Sequence, residues 1–319
     1  MSRPPGRDAR RSAASAAHEI VDPAEPWETP LPRAAAARLD PQAEAARPTR
    51  PSSEADLPPG VLRVLRFTCG SLPLERTLLF PPAVRPIDRS CRRFVTTPRQ
   101  VLGLGERAAG LWVEWHMRDP AVVVPLERIG AIEDIRLLRY RRFSVRAADA
   151  RLSVRYASGS RSAVGPPVAW LRRRIAGELR GEVPSPGLRS VGTGAVPAVW
   201  RAAAEAIMRQ AGEGGAVALY GVAPPTGPDE RPRGALVALT AEELIVLAES
   251  ADACPTPDVP DLLAVPRRTL QLVRPMDDRL LVRSSGVERA LRTGAELASA
   301  AAELVAEAGG VGPAARARR

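Results

Sequence analysis

The sequence predicts a mainly β chain of α+β class: two strand-rich units, each small enough to curl into a β-barrel and each closed by a C-terminal helix, behind a disordered N-terminal arm. Three observations carry that prediction. From Val61 onward, short alternating apolar runs recur between turn residues, the pattern of strands of roughly five to six residues. Each series of runs gives way to an amphipathic helical stretch. The second series can also be laid on the first in order and spacing. The 319 residues suffice for about two domains.

Residues 1–58 carry Pro4, Pro5, Pro23, Pro26, Pro30, Pro32, Pro41, Pro48, Pro51 and Pro58 among Ala, Arg, Glu and Ser. Pro removes a backbone donor, and too few large apolar side chains are present to offset an ordering entropy of roughly 1–2 kcal/mol per residue, so a disordered arm is expected. Only Arg33 to Asp40, between Pro32 and Pro41, could turn transiently helical.

The first unit, residues 59–183, reads as strands over Val61–Phe67, Thr77–Phe80, Arg93–Thr96, Gln100–Leu104, Gly110–Trp115, Ala121–Val124, Ile129–Leu138, Arg142–Arg146 and Arg151–Tyr156. Pro166-Pro167 then opens a helix whose stripe is Val168, Leu171, Ile175 and Leu179, with Arg172, Arg173 and Arg174 off it. Gly, Pro and Ser make residues 184–195 a linker. The second unit, residues 196–310, starts with a helix over Ala198–Met208. It continues as strands over Ala216–Val222, Ala235–Leu239, Leu244–Ala248, Asp261–Val265, Thr269–Arg274 and Arg279–Arg283, and ends in an Ala-rich helix, Ala295–Ala308, stopped by Gly309-Gly310. Residues 311–319 form a disordered basic tail.

The two units match at several points. Phe94-Val95-Thr96-Thr97-Pro98-Arg99-Gln100-Val101-Leu102 lies on Val237-Ala238-Leu239-Thr240-Ala241-Glu242-Glu243-Leu244-Ile245, each a strand, a Thr-initiated turn and a strand. Val124-Pro125 lies on Val265-Pro266, and Arg142 to Arg146 on Arg279 to Arg283. The turn carrying Arg99, the later strand opening on Val124-Pro125-Leu126, the final strand pair and the single C-terminal helix resemble the bacterial pleckstrin-homology-like (PH-like) domains. The resemblance covers residues 76–180 well and 216–307 weakly, since Glu242 stands where the first unit has Arg99. It implies two PH-like β-barrels in tandem, each plugged by its helix, that bind proteins or anionic lipids and share no catalytic residues.

Charge points to partners of opposite sign. All 46 basic residues are Arg, Lys and Asn are absent, and the formal net charge is +10. Residues 90–180 hold 18 Arg against 8 acidic side chains, and residues 216–307 hold 9 against 14. The densest patch is Arg136, Arg139, Arg141, Arg142 and Arg146, continued by Arg151 and Arg155; alternation puts Arg142 and Arg146 on one face. Arg139, Arg141, Arg142 and Arg146 are the candidate contacts for an anionic partner. Two other readings compete: a solvated face in an Arg-biased composition, and docking of the acidic second unit on the basic first.

Chemistry-bearing patterns are sparse. Cys69, Cys91 and Cys254 form no CxxC pair, and His18 and His116 are too far apart in sequence for HExxH, so no metal and no cofactor are expected. No GxSxG elbow or Walker A loop occurs. Gly103-Leu104-Gly105 with Gly110 has the wrong spacing for a phosphate loop. Asp277-Asp278 and Glu133-Asp134 read as turn formers and solvated charges. Trp112, Trp115 and Trp170 read as core fillers, although the odd spacing of Trp112 and Trp115 turns one of them outward in a regular strand. Without an apolar stretch for a signal peptide or a run of roughly 18–20 apolar residues, a cytoplasmic location is expected. The expected function is a non-enzymatic scaffold that binds a protein partner or itself. Peripheral binding to anionic membrane through the same basic face is the first alternative, and an enzyme lacking a linear motif the second. Nucleic acid is not expected as a partner.

Overall fold

The computed structural model describes residues 24–36, 47–88, 92–114, 121–137, 140–176, 183, 186–192, 195–225, 230–249 and 260–309. The first half contributes β1 (Thr29–Pro30), helix α1 (Val61–Cys69), β2 (Thr77–Phe80), β3 (Ala83–Pro86), β4 (Phe94–Thr97), β5 (Gln100–Leu104), β6 (Ala108–Val113), β7 (Ala121–Pro125), β8 (Ala131–Leu137), β9 (Tyr140–Arg146), β10 (Arg151–Ala157) and helix α2 (Arg161–Ala176). The second contributes β11 (Gly187–Ser190), helix α3 (Ala198–Ala211), β12 (Ala216–Ala223), β13 (Arg233–Thr240), β14 (Glu243–Ala248), β15 (Asp261–Pro266), β16 (Leu270–Met276), β17 (Arg279–Ser284), β18 (Val287–Arg292) and helix α4 (Ala295–Glu307). The class is α+β, mostly strand. Among the described residues no helix is long and apolar enough to cross a membrane.

The sheets are not closed into the expected barrels. Four strands pair as β2-β5-β6-β7, three as β1-β4-β3, three as β16-β17-β18, and eight as β10-β9-β8-β15-β14-β13-β12-β11. The eight-stranded sheet explains the departure. An open edge of backbone donors and acceptors has to be paired or covered. The edge of β8 is paired not within its own half but by β15, with Ile132 opposite Ala264, Glu133 opposite Leu263 and Asp134 opposite Leu262. The two halves therefore share a sheet and a core: one buried cluster includes Leu78, Phe80, Leu111 and Phe143 from the first and Trp200, Leu236, Ile245 and Ala264 from the second. The segment expected as a linker supplies β11, which pairs parallel to β12.

Three further expectations change. Val61–Cys69 is a helix rather than a strand: Val61, Leu62, Leu65 and Cys69 are buried on one face, with Gly60 (φ 80°) and Gly70 (φ 81°) at its ends. The glycines that suggested a phosphate loop seat this helix. A Cβ on Gly105 would stand 2.3 Å from the Cys69 carbonyl oxygen, and one on Gly110 2.5 Å from Cys69 Sγ, so α1 approaches β5 and β6 only because both side chains are missing. Helix α2 starts at Arg161, which moves Pro166 and Pro167 inside it; Val168, Leu171 and Ile175 are buried as expected, and Leu179 lies outside the described residues. Finally, the arm is not wholly unstructured. Thr49 exchanges backbone hydrogen bonds with Leu79 (2.9 Å each way), Leu57 is buried, and Thr29–Pro30 pairs with β4. Residues 1–23 and the tail 311–319 lie outside the described residues.

Hairpin chemistry matches expectation at Asp277-Asp278, which link β16 to β17 with Asp277 at φ 53°. Strand β18 completes a three-stranded sheet that the sequence pattern left unassigned. Helix α4 packs across β12, β13, β16 and β17, and α3 across β12 and β13.

Candidate functional site

The basic strands β8, β9 and β10 lie side by side, with Ile132, Glu133 and Asp134 opposite Val145, Ser144 and Phe143, and these in turn opposite Leu152, Ser153 and Val154. Alternation divides their side chains. Asp134, Arg136, Arg141 and Tyr156 share the face of Phe143 and Val154; Glu133, Arg142, Ser144, Arg146, Arg151, Ser153 and Arg155 share the other.

On the first face, Arg141 is 2% exposed. Its Nε donates to Asp134 Oδ1 (3.0 Å), and Nη2 donates to the carbonyls of Asp134 (2.8 Å) and Pro260 (3.2 Å). The Tyr156 hydroxyl donates to the same Asp134 oxygen (2.8 Å). Asp261, from the second half, stands 3.7 Å from the Arg141 guanidinium and accepts the Arg136 N–H at 2.6 Å. Burial works against the Arg141 charge, but Asp134 and its neighbours outweigh it and hold the guanidinium above its ordinary value. Burial beside the Asp134 charge drives the Tyr156 phenol far up.

On the second face, Arg146 Nε donates to Glu133 (2.9 Å), which also accepts from Arg289 of β18. Burial raises the Glu133 pKa, yet the charges of Arg146 and Arg289 leave it below the ordinary carboxylate value. The expectation that Glu133 and Asp134 are solvated is therefore overturned: they are 3% and 4% exposed, and both are neutralised by arginine. The other end of this face is covered by the arm. Glu25 accepts from Ser153 Oγ (2.7 Å) and Arg155 Nη2 (3.2 Å) and pairs with Arg151 at 3.6 Å. Glu28 accepts from Arg85 Nε (2.9 Å) and Thr97 Oγ1 (2.8 Å). Burial raises the Glu28 pKa, but the Arg85 hydrogen bond and the Arg155 charge bring it below the ordinary value. Arg151 is drawn down to about 10 by its own burial and by the neighbouring Arg142 charge.

The four candidate residues thus have separate fates. Arg141 is an internal strut, Arg146 is held by Glu133, Arg142 is half-buried between them on β9, and Arg139 lies outside the described residues. His116, Cys91 and Cys254 also lie outside them, while Cys69 is a buried free thiol. Of the tryptophans weighed as core fillers, Trp112 is buried, Trp170 is half-buried under Arg76, whose guanidinium stands 4.3 Å from the ring centroid, and Trp115 lies outside the described residues.

The exposed basic surface is elsewhere, in a cleft of about 580 Å³ between α1, the β5–β6 turn, α2 and the β15–β16 turn. Arg107, Arg174 and Arg268 line it beside Phe67, which is 84% exposed. Arg107 donates to the Phe67 carbonyl (3.3 Å) and Arg268 to the Leu126 carbonyl (3.0 Å), so two of the guanidiniums are anchored by main chain at the wall. Arg174 makes no ion pair with the described residues. Glu106 and Glu127 line the same cleft. Sequence reasoning missed the site because Arg107, Arg174 and Arg268 are far apart in the chain; Arg172-Arg173-Arg174 was assigned only as the polar side of a helix. Among the described residues no group of three or more His, Cys, Asp or Glu side chains converges as a metal site requires.

Comparison with protein-family models, with characterised proteins and with solved structures finds no match to this chain. The functional reading accordingly rests on the geometry.

Proposed function

We propose that the chain is a non-enzymatic binding protein that presents the Phe67 cleft to a protein partner carrying acidic side chains. One observation carries the reading: a large aromatic side chain stands almost fully exposed on the rim of an open cleft lined by three arginines contributed by separate elements. Aromatic residues and Arg are enriched in the cores of protein interfaces, and Arg has the planar fork that binds carboxylates in pairs. The carboxylates of the buried network, by contrast, are engaged by arginines and serve the fold. The reading includes descent from a tandem PH-like plan. It is supported by the order of elements in each half, four antiparallel strands, then three more and then a helix: β2-β5-β6-β7, β8-β9-β10 and α2, against β12 to β15, β16-β17-β18 and α4, with β8-β9-β10 and β12 to β15 joined in one sheet.

The test is a photo-crosslinking amino acid at position 67 in the cells that make the protein. A discrete protein adduct at 67, weakened by Arg174→Ala and missing at the exposed Val199, is expected. Equal labelling at 67 and 199, or none at 67, would sink the proposal. The same exposed Phe67 beside arginines also suits insertion into an anionic membrane surface. Cosedimentation with anionic but not neutral vesicles, lost with added salt and with Phe67→Ala, would favour that second reading.

A further inference from the structure

Segment 25–31 of the arm is held by the rest of the chain as a bound peptide would be. Strand β1 adds to the edge of β4, with Thr29 opposite Thr96 and Pro30 opposite Val95, and the Leu31 N–H extends the ladder to the Phe94 carbonyl (2.9 Å). Glu28 enters a slot formed by Arg85 and Thr97, while Glu25, three residues earlier, reaches Ser153 and Arg155 on β10. Between them, Trp27 packs against the main core. The receiving side is built for this cargo: Arg85 is 1% exposed and Arg155 is 4% exposed, and a buried cation deprived of its carboxylate is strongly unfavourable. Arg85 also donates to the Tyr140 hydroxyl (3.3 Å), which fixes the fork that grips Glu28. Strand addition supplies affinity, and two buried cations placed to meet carboxylates three residues apart supply selectivity.

The spacing Glu-x-Trp-Glu occurs once in the sequence, at residues 25–28. We propose that the slot also accepts this segment from a second copy of the chain, so that two copies dimerise by exchanging residues 25–31. Exchange remakes every contact named above, because each slot receives the same sequence it already holds. The balance between closed monomer and exchanged dimer is then set by association entropy and by the connection alone. That connection is long enough. Among the described residues, the next backbone anchor to the rest of the chain after Leu31 is the Thr49–Leu79 pair, and a chain of that length spans up to about 60 Å when extended. The surface involved is not the Phe67 cleft, so the failure of either proposal leaves the other standing.

Two pairs of full-length variants test the exchange. Glu28→Arg and Arg85→Glu each put like charges in their own slot. When the two chains are mixed, a swapped heterodimer places the two reversed residues together in one slot and the two native ones in the other. Light scattering is expected to show a heterodimer on mixing and none in either chain alone, with the double variant Glu28→Arg/Arg85→Glu regaining wild-type stability within one chain. The second pair leaves the charges intact. Thr29→Cys and Thr96→Cys, placed in separate co-expressed chains, sit on opposed strand positions about 5.5 Å apart at Cα, within disulfide range. A reduction-sensitive dimer joining positions 29 and 96 of different chains is expected. If the two cysteines bond when placed in one chain but never between chains, the exchange is overturned.

Discussion

Replacing Arg141 by Ala should unfold this protein more readily rather than merely weaken a surface. The side chain is 2% exposed, and its removal cancels one charge-assisted bond to Asp134 and the donors to two carbonyls, those of Asp134 and Pro260. Asp134, itself 4% exposed, would keep the Tyr156 hydroxyl at 2.8 Å and Arg161 at 3.6 Å but lose its close guanidinium. Breaking a buried pair by deleting one partner costs about 3–5 kcal/mol, a large share of a typical stability of about 5–15 kcal/mol. Because Pro260 and Asp261 belong to the second half, the loss also loosens the junction of β8 with β15. In urea unfolding followed by tryptophan fluorescence, the midpoint should fall by about 1 M or more with the slope unchanged. Arg173→Ala, exposed on α2, should stay within about 0.5 kcal/mol of wild type. The double variant Asp134→Asn/Arg141→Met should recover much of the loss, because it removes both buried charges together. A loss below about 1 kcal/mol for Arg141→Ala, or a double variant no better than the single, would refute the assignment of Arg141 as a strut. It follows that weaker partner binding by Arg141→Ala reports on folding unless stability is measured beside it.

The remaining predictions concern acid, packing and thiol access. Glu28 and Glu133 titrate in the folded chain below the ordinary 4.5, so the unfolded chain takes up protons first; their contribution is complete above about pH 4.5 and is lost as pH falls through the folded values, which Glu28→Gln should flatten in a series of urea titrations. Gly105→Ala drives a methyl group into the Cys69 carbonyl and should cost about 1–3 kcal/mol in thermal unfolding, whereas Gly159→Ala, with no heavy atom within 4 Å, should not lower stability. The Cys69 thiol is buried, and that burial raises its pKa against a Thr68 hydrogen bond and the Arg107 charge. Iodoacetamide mapped by mass spectrometry should therefore modify position 69 only at the rate of unfolding, and rapid native labelling there would contradict the packing of α1.

Most strands were legible because their cause is local. Arg151–Ala157 carries the two-residue period in its own side chains, Leu152, Val154 and Tyr156 alternating with Arg151, Ser153 and Arg155; Thr77–Phe80 and Ala121–Pro125 are short apolar runs between turn residues, and Asp277-Asp278 carries a turn. Val61 to Phe67 was ambiguous for an equally local reason. Apolar residues at 61, 62, 64 and 65 satisfy a short strand as well as a helix, and the choice falls to what the segment meets, here the bare backbone of Gly105 and Gly110. The arm was misjudged because its anchors are polar: Glu25 and Glu28 look solvated until Arg85 and Arg155, far along the chain, are brought to them.

The candidate site divides along the same line. The sequence determined that β9 and β10 are arginine-rich and that Arg141 faces away from Arg142 and Arg146, since alternation is a property of any strand. Only the tertiary structure decided which of those charges are spent inside. Arg141 meets Asp134 seven residues away and Asp261 in the other half, and Glu133 gathers Arg146 and Arg289 from two different sheets. Any of the 46 arginines could pair with any of the 36 carboxylates as far as composition is concerned. The pairing of β8 with β15 is equally invisible in sequence, because an open strand edge is made of backbone, which is the same at every residue. Periodicity is written locally, whereas edge pairing and charge neutralisation are contacts between distant segments that exist only once the chain has closed on itself.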